Sequence, residues 1–211
     1  MKNLVFVLAC AGMLCGCHSA YYSVYEKFGV YKRDLLKKNV VKARDEEKAT
    51  QQQFKDAMTR LKEITGFQGG DLEKQYNELK KDYDHSAAKA ESVRARIKDV
   101  ETVAEDLFTE WDKEDQQIGT ASLRASSQQQ LLSTRQKYND LHTALKQGEA
   151  SMDPVLRRLN DYVLYLKHSL NAAAIASLRG EAQNIQTDIS QLIEQMNHSI
   201  AQADEFIKSM P

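Results

Sequence analysis

The fold is decided by residues 72–111, LEKQYNELKKDYDHSAAKAESVRARIKDVETVAEDLFTEW. Within this stretch Leu72, Tyr76, Leu79, Tyr83, Ser86, Ala90, Val93, Ile97, Val100, Ala104, Leu107 and Trp111 follow in alternating steps of four and three. Only Ser86 among them is neither apolar nor aromatic. A period of about 3.5 residues keeps one stripe turned toward a partner helix, which is the seam of a left-handed coiled coil or slender bundle. Glycines at Gly66, Gly69 and Gly70 punctuate the chain before the stretch, relieving left-handed strain at a helix end, and Asp71 stands ready to cap it. Phe67 is placed to tuck this loop onto the bundle.

The same period continues on both sides. From Lys32 to Thr65 the stripe runs through Leu36, Val40, Ala43, Phe54, Ala57, Leu61 and Ile64. Glu47 and Thr50 interrupt it, so this helix is expected to pack loosely at its middle. Upstream, Tyr21, Tyr25 and Phe28 share one helical face in a stretch that also holds Tyr22 and Tyr31. They read as the first turns of a packed helix, as an interfacial aromatic belt, or as a partner site. After a reversal at Gly119-Thr120, a third helix runs through Leu123, Leu131, Thr134, Tyr138, Leu141, Leu145, Met152, Val155, Leu159, Tyr162 and Leu166. Gly148 occupies a seam position. Asp153-Pro154 predicts a kink, or a short break with Asp153 as cap, because proline lacks an amide and crowds the preceding turn. A final reversal pivots near Asn171, and a last helix carries Ile175, Leu178, Ala182, Ile185, Ile189, Leu192, Met196, Ala203 and Phe206.

At about 1.5 Å per residue, residues 71–117 and 121–169 each span roughly 70 Å, residues 20–65 would match them, and residues 172–209 span about 57 Å. The expected architecture is all-α: an elongated antiparallel coiled-coil-like helical bundle of about four long helices, connected up-down-up-down as one domain over residues 32–211. A pair of open hairpins, closing only as a homo-oligomer, is the structural alternative. Composition agrees. The 211 residues include 2 prolines and 9 glycines, too few turn formers for a sheet-rich fold. A formal net charge of −1 gives no basic footprint for nucleic acid.

All three cysteines, Cys10, Cys15 and Cys17, precede the helices, which excludes a disulfide framework across the fold. Met1 and Lys2 make a short basic start, and the apolar run from Leu4 to Leu14 is too short for a spanning helix. Leu14, Cys15, Gly16 and Cys17 resemble the lipobox of bacterial lipoproteins. That resemblance implies cleavage of residues 1–16 as a signal peptide and lipidation of Cys17, leaving 17–31 as anchor and juxtamembrane segment. Val7-Leu8-Ala9-Cys10 is a rival box with a shorter apolar core, and an ordinary signal peptide with a free Cys17 is a further alternative. His18 stands where Asp commonly favours inner-membrane retention, so the resemblance points to the periplasmic face of the outer membrane.

No catalytic or cofactor motif emerges. The histidines His18, His85, His142, His168 and His198 form no H-E-x-x-H, and the mature chain has no Cys/His zinc set. Asp82 and Asp84 lie about 200° apart on a helix and read as a solvated face rather than a metal site. No phosphate-cradling G-x-x-x-x-G-K-[ST] and no G-x-S-x-G elbow is present. Several ordered phrases do resemble one family: Gly69-Gly70-Asp71-Leu72-Glu73, Leu107-Phe108-Thr109-Glu110-Trp111, Met152-Asp153-Pro154-Val155-Leu156, and Val163 to Ala172 continued by Ala174-Ile175-Ala176-Ser177-Leu178. Together they are similar to the domain of unknown function 2959 family. The resemblance implies a helical periplasmic lipoprotein and supplies no activity, cofactor or metal.

Two polar residues stand out at the last reversal. His168 and Asn171 form either a binding corner or ordinary helix-end chemistry, with a histidine at the negative C-terminal dipole and an asparagine tolerant of left-handed geometry. The expected function is a non-enzymatic structural or adaptor role, tethered to the membrane and facing envelope proteins. The alternative is a periplasmic chaperone or carrier whose helices open at Glu47, Thr50 and Gly148 around an apolar client or lipid.

Overall fold

The computed structural model describes residues 31–66 and 71–210. Within them the chain forms four helices and no strand: α1 (Lys32–Thr65), α2 (Leu72–Asp115), α3 (Ala121–His168) and α4 (Ala172–Ser209). At about 1.5 Å per residue their lengths are roughly 51, 66, 72 and 57 Å. α1 and α3 each pack against both α2 and α4. The result is an antiparallel four-helix bundle with two principal neighbours per helix.

Every interface carries cross-helix polar pairs whose order fixes its direction. Lys32 meets Glu110, Lys89 meets Glu46 and Arg60 meets Glu78 between α1 and α2. Arg135 with Asp112, His142 with Glu101 and Arg94 with Asp153 run along α2 and α3. Arg158 and Asp188 join α3 to α4, and Arg44 and Asp204 join α1 to α4. Exposed pairs of this kind contribute about 0–1 kcal/mol each. Their use lies in register, since a slip of one turn would misplace every one of them.

The seam of α2 is buried at Leu79, Ser86, Ala90, Val93, Ile97, Val100, Ala104 and Leu107, with Val103 and Phe108 beside it. Those two additions widen the stripe because α2 faces two helices rather than one. Every apolar position expected on α1 between Leu36 and Ile64 is buried. Glu47 and Thr50 are buried too, both at 0% exposure, so the expected looseness at the middle of α1 is replaced by a filled polar layer. On α3 Leu123 departs most, at 62% exposure, while Thr134 and Tyr138 are only partly buried.

Helix ends follow local chemistry, with some differences from expectation. Asp71 caps α2, its carboxylate accepting from the Lys74 amide at 2.9 Å. Gly66 closes α1 in right-handed geometry (φ −86°, ψ 0°), so the left-handed relief expected of this glycine is not used. Asn171 is extended (φ −148°, ψ 168°) rather than left-handed, and its Oδ1 accepts from the Ala174 amide at 2.9 Å as the cap of α4. α3 runs unbroken through Pro154, and Asp153 pairs with Arg94 instead of capping a new helix. The continuous packing of Met152, Val155 and Leu159 in the core holds the helix together across the missing amide. α1 starts at Lys32, after an extended Tyr31. The aromatic face at Tyr21, Tyr25 and Phe28, the cleavage and lipidation residues, and Phe67 lie outside the described residues.

The topology gives the rod two unlike ends. The base carries the start of α1, the α2–α3 turn and the end of α4, where the Lys37 ammonium donates to the Met210 carbonyl at 3.2 Å. The tip carries the α1–α2 and α3–α4 connections, tied by Arg179 Nε donating to the Thr65 carbonyl at 2.8 Å.

Candidate functional site

The interruptions of the apolar pattern, scattered over four helices in sequence, gather in one layer at the middle of the rod. Glu47 and Thr50 come from α1, Ser86 from α2, Gly148 from α3 and Ser199 from α4, and all are buried. The Thr50 and Ser86 hydroxyls donate to carbonyls one turn earlier, Glu46 and Asp82, so both are satisfied within their own helices. Glu47 is different. Its carboxylate reaches across the bundle, and Ser199 Oγ lies 3.0 Å from Oε1 and 2.8 Å from Oε2.

Gly148 makes room for that reach. A Cβ at this position would stand 3.1 Å from Glu47 Oε1 and 3.6 Å from Ser199 Cβ. Helix interiors disfavour glycine by roughly 0.8–1.0 kcal/mol relative to alanine, and here the vacant space is taken by the carboxyl group. Gly148→Ala alone should therefore change unfolding free energy little, its helix gain being offset by displacement of the carboxyl. In a Glu47→Ala background the same change should stabilise by about 1 kcal/mol. Denaturant melts of the four proteins test this, and strict additivity would mean that Gly148 is not reserved for Glu47.

Electrostatics decide the form of the carboxyl. Among the described residues no Lys, Arg or His forms an ion pair with Glu47; the nearby Lys89 ammonium pairs with Glu46 instead. Burial pushes the Glu47 carboxyl up from its ordinary value to about 8, with the Ser199 hydroxyl pulling slightly the other way. At neutral pH the group is mainly the neutral acid. Serine has one proton to donate, and a neutral carboxyl uses both contacts: the serine O–H donates to one oxygen while the carboxyl O–H donates back to Oγ. A protonated acid cannot take the serine's proton, so this pair does not activate Ser199 as a nucleophile. It can hold a proton inside an otherwise apolar seam.

The polar corner at the tip is assembled from helix ends. His168 is the last residue of α3 and is exposed, beside Lys167, where a cation favours the C-terminal dipole. Asn171 is committed to the α4 cap. More prominent at this end are apolar side chains facing solvent: Leu164 at 49%, Tyr165 at 43% and Leu170 at 38% exposure. Asp82 and Asp84 diverge as their spacing requires, Asp82 toward Arg60 and Asp84 toward Lys80. Among the described residues no group of His, Cys, Asp and Glu is arranged to hold a metal ion, and no helix is long and apolar enough to cross a membrane.

Sequence reasoning marked Glu47, Thr50, Ser86 and Gly148 singly as exceptions, and missed Ser199. The signal for Ser199 was present: the steps of four and three that link Leu192, Met196, Ala203 and Phe206 pass through position 199.

The chain matches the model of a family described as "Protein of unknown function (DUF2959)" over residues 21–210. No curated protein and no solved structure matches it.

Proposed function

The chain belongs to the DUF2959 family, whose description supplies no activity, and from that premise we propose a non-enzymatic, lipid-anchored rod acting as a structural or adaptor protein at the bacterial envelope. Cys17 carries the lipid, and Leu14, Cys15 and Gly16 direct its modification. The rod stands on the periplasmic face of the outer membrane and presents its length and tip to other envelope proteins. The observation that carries this reading is the polarity of the bundle. The chain enters at the base, close in sequence to Cys17, while Leu164, Tyr165 and Leu170 are exposed at the opposite end. Exposed apolar side chains stand at both ends, Tyr31, Leu123 and Leu132 toward the base and Leu164, Tyr165 and Leu170 at the tip, and those at the tip, away from the entry point, suit protein contact. Tethering confines the tip to a layer near the membrane and raises its effective concentration toward partners there.

Replacing Cys17 with Ser should abolish metabolic fatty-acid labelling and move the protein from the membrane to the soluble fraction; persistent labelling would remove Cys17 as the anchor. Photo-crosslinkers at Leu164 and Tyr165 should capture envelope proteins, whereas crosslinkers on the exposed flank at Lys98 should not.

The second reading, a carrier whose helices part around an apolar client or lipid, draws on the buried Glu47 layer, where polar groups interrupt the seam at the middle of the rod. Against it stands the filling of that layer by Glu47 itself at Gly148. Lipid co-purifying with the Cys17→Ser protein at a fixed ratio would favour the carrier.

A further inference from the structure

The four helices are two hairpins, α1–α2 and α3–α4, joined at the base by residues 116–120. Each hairpin packs within itself more extensively than the two pack together along either shared edge. Those two edges differ. Along α2–α3 the chain is continuous through the basal turn, and Trp111 with Ser127, Arg135 with Asp112, His142 with Glu101 and Arg94 with Asp153 stitch the helices from the base to the middle of the rod. α1 and α4 are not consecutive in the chain. Their ties are Lys37 to the Met210 carbonyl, Arg44 to Asp204, Gln51 to Asn197 and Arg179 to the Thr65 carbonyl.

Glu47 sits on this second edge. Its carboxyl contacts Ser199 of α4 at 3.0 and 2.8 Å and fills the space left at Gly148 of α3, so both of these contacts belong to the other hairpin. The charged groups around the layer are turned to other partners or to solvent. On α1, Glu46 pairs with Lys89 of α2, and Lys48 is exposed. On α3, Glu149 pairs with Lys146 and with Arg94 of α2, and on α4 His198, beside Ser199, is exposed. As the neutral acid, the carboxyl exchanges two hydrogen bonds with the serine; as the anion it keeps one, because the hydroxyl has a single proton. A buried charge held by one donor is costly. Admitting water along α1–α4 relieves it without breaking either hairpin.

We propose that the rod opens like a book along α1–α4, about an α2–α3 spine, and that Glu47 is the latch which rising pH releases. Sub-global opening of this kind separates packed units while each keeps its own internal hydrogen bonds. The sign follows from the proton. The closed bundle holds it on Glu47 up to about 8, and the opened edge returns the carboxyl toward its ordinary 4.5, so opening is favoured as pH rises between them. From about pH 6 to about pH 9.5 the ratio of open to closed bundles should grow about a hundredfold. Opening presents the core faces of the two hairpins, with Val40 and Phe54 on α1 and Ile189 and Met196 on α4, as an apolar groove. The device depends on neither the anchor nor the adaptor role.

The test uses the full chain with Cys10, Cys15 and Cys17 changed to Ser, so that only introduced thiols carry spin labels. One pair, Gln52→Cys with His198→Cys, spans α1 and α4. The other, Gln52→Cys with Lys81→Cys, lies within the first hairpin, and all three positions are exposed. Pulsed electron resonance reads both distances between about pH 6 and about pH 9.5. The expected result is a longer distance that gains population reversibly with pH in the first pair, while the second pair stays short. With Glu47→Gln added, the first pair should stay short throughout. Lengthening of both pairs would overturn the proposal in favour of unfolding of the whole chain, and lengthening of neither would overturn it outright. Lengthening of the first pair that survives Glu47→Gln would remove Glu47 as the latch. A second measurement needs no variant of the layer: binding of an apolar dye to the unlabelled chain should rise reversibly over the same range while helical circular dichroism stays constant. Loss of helix in step with dye binding would reject the opening of intact hairpins.

Discussion

Glu47→Gln should flatten the pH dependence of stability. In the unfolded chain the Glu47 carboxyl titrates near its ordinary value of 4.5, and in the bundle near 8. Between those values the native state holds a proton that the unfolded state has released, so unfolding free energy falls as pH rises. Below about 4.5 both states are protonated and above about 8 both are ionised, so the slope vanishes at each end. The loss across this window is about 3–5 kcal/mol. Glutamine fills nearly the same volume, stays neutral, and can exchange hydrogen bonds with Ser199 in the same two-contact geometry. The expected result of denaturant melts from about pH 5 to about pH 9 is a declining stability for the natural protein and a variant that lacks this component. Parallel curves for the two would show that the carboxyl is not held neutral. Asp204 acts with the opposite sign: its hydrogen bond with Arg44 lowers its titration, so its contribution is lost as pH falls. Between about pH 5 and about pH 9 the natural bundle should thus weaken with rising pH chiefly through Glu47, the raised titrations of Tyr138 and Tyr162 acting only at higher pH.

Phe206→Ala should cost about 3–5 kcal/mol, the range for deleting a fully packed aromatic ring. Phe206 is 2% exposed near the end of α4. Its ring meets Tyr138 at 6.4 Å in an edge arrangement, and Tyr138 in turn meets Phe108 at 5.4 Å. The cavity would open at the base, next to where α3 loses its cover, so hydrogen exchange should rise first in the last turns of α4. Exchange that rises equally at the tip would mean that the bundle unfolds only as a whole.

Much of this bundle is readable from its pattern because a seam repeated over many turns leaves few other ways to bury it. Leu72 to Trp111 fixes the helix, the glycine- and asparagine-marked connections fix the number of helices, and their lengths fix the up-down order. What escapes is whatever depends on where one helix sits along another. Leu123 continues the stripe of α3 perfectly well; its exposure follows from α4 ending short of it. Glu47 reads as a flaw in α1 because its compensation lies on α3 and α4, at Gly148 and Ser199, more than 100 residues away in sequence. Pro154 removes an amide, yet the surrounding core contacts keep the helix intact. Asn171 suits two backbone conformations, and only the direction of α4 selects the extended one. The polar layer was therefore legible as separate anomalies, and their convergence required the register between helices.

An even number of antiparallel helices returns the chain to its starting end, which is why Lys37 near the beginning of α1 reaches the carbonyl of Met210. This has a mechanical consequence. If the base is fixed and the tip is pulled, α1 is loaded along its own axis, and its contacts with α2 and α4 must slide together in shear. If the two termini are pulled apart at the base, α1 and α4 are peeled from each other one turn at a time. Dispersion contacts that are individually weak resist jointly in the first geometry and singly in the second. A rod loaded between its entry point and its far end is pulled in the direction in which it is strongest.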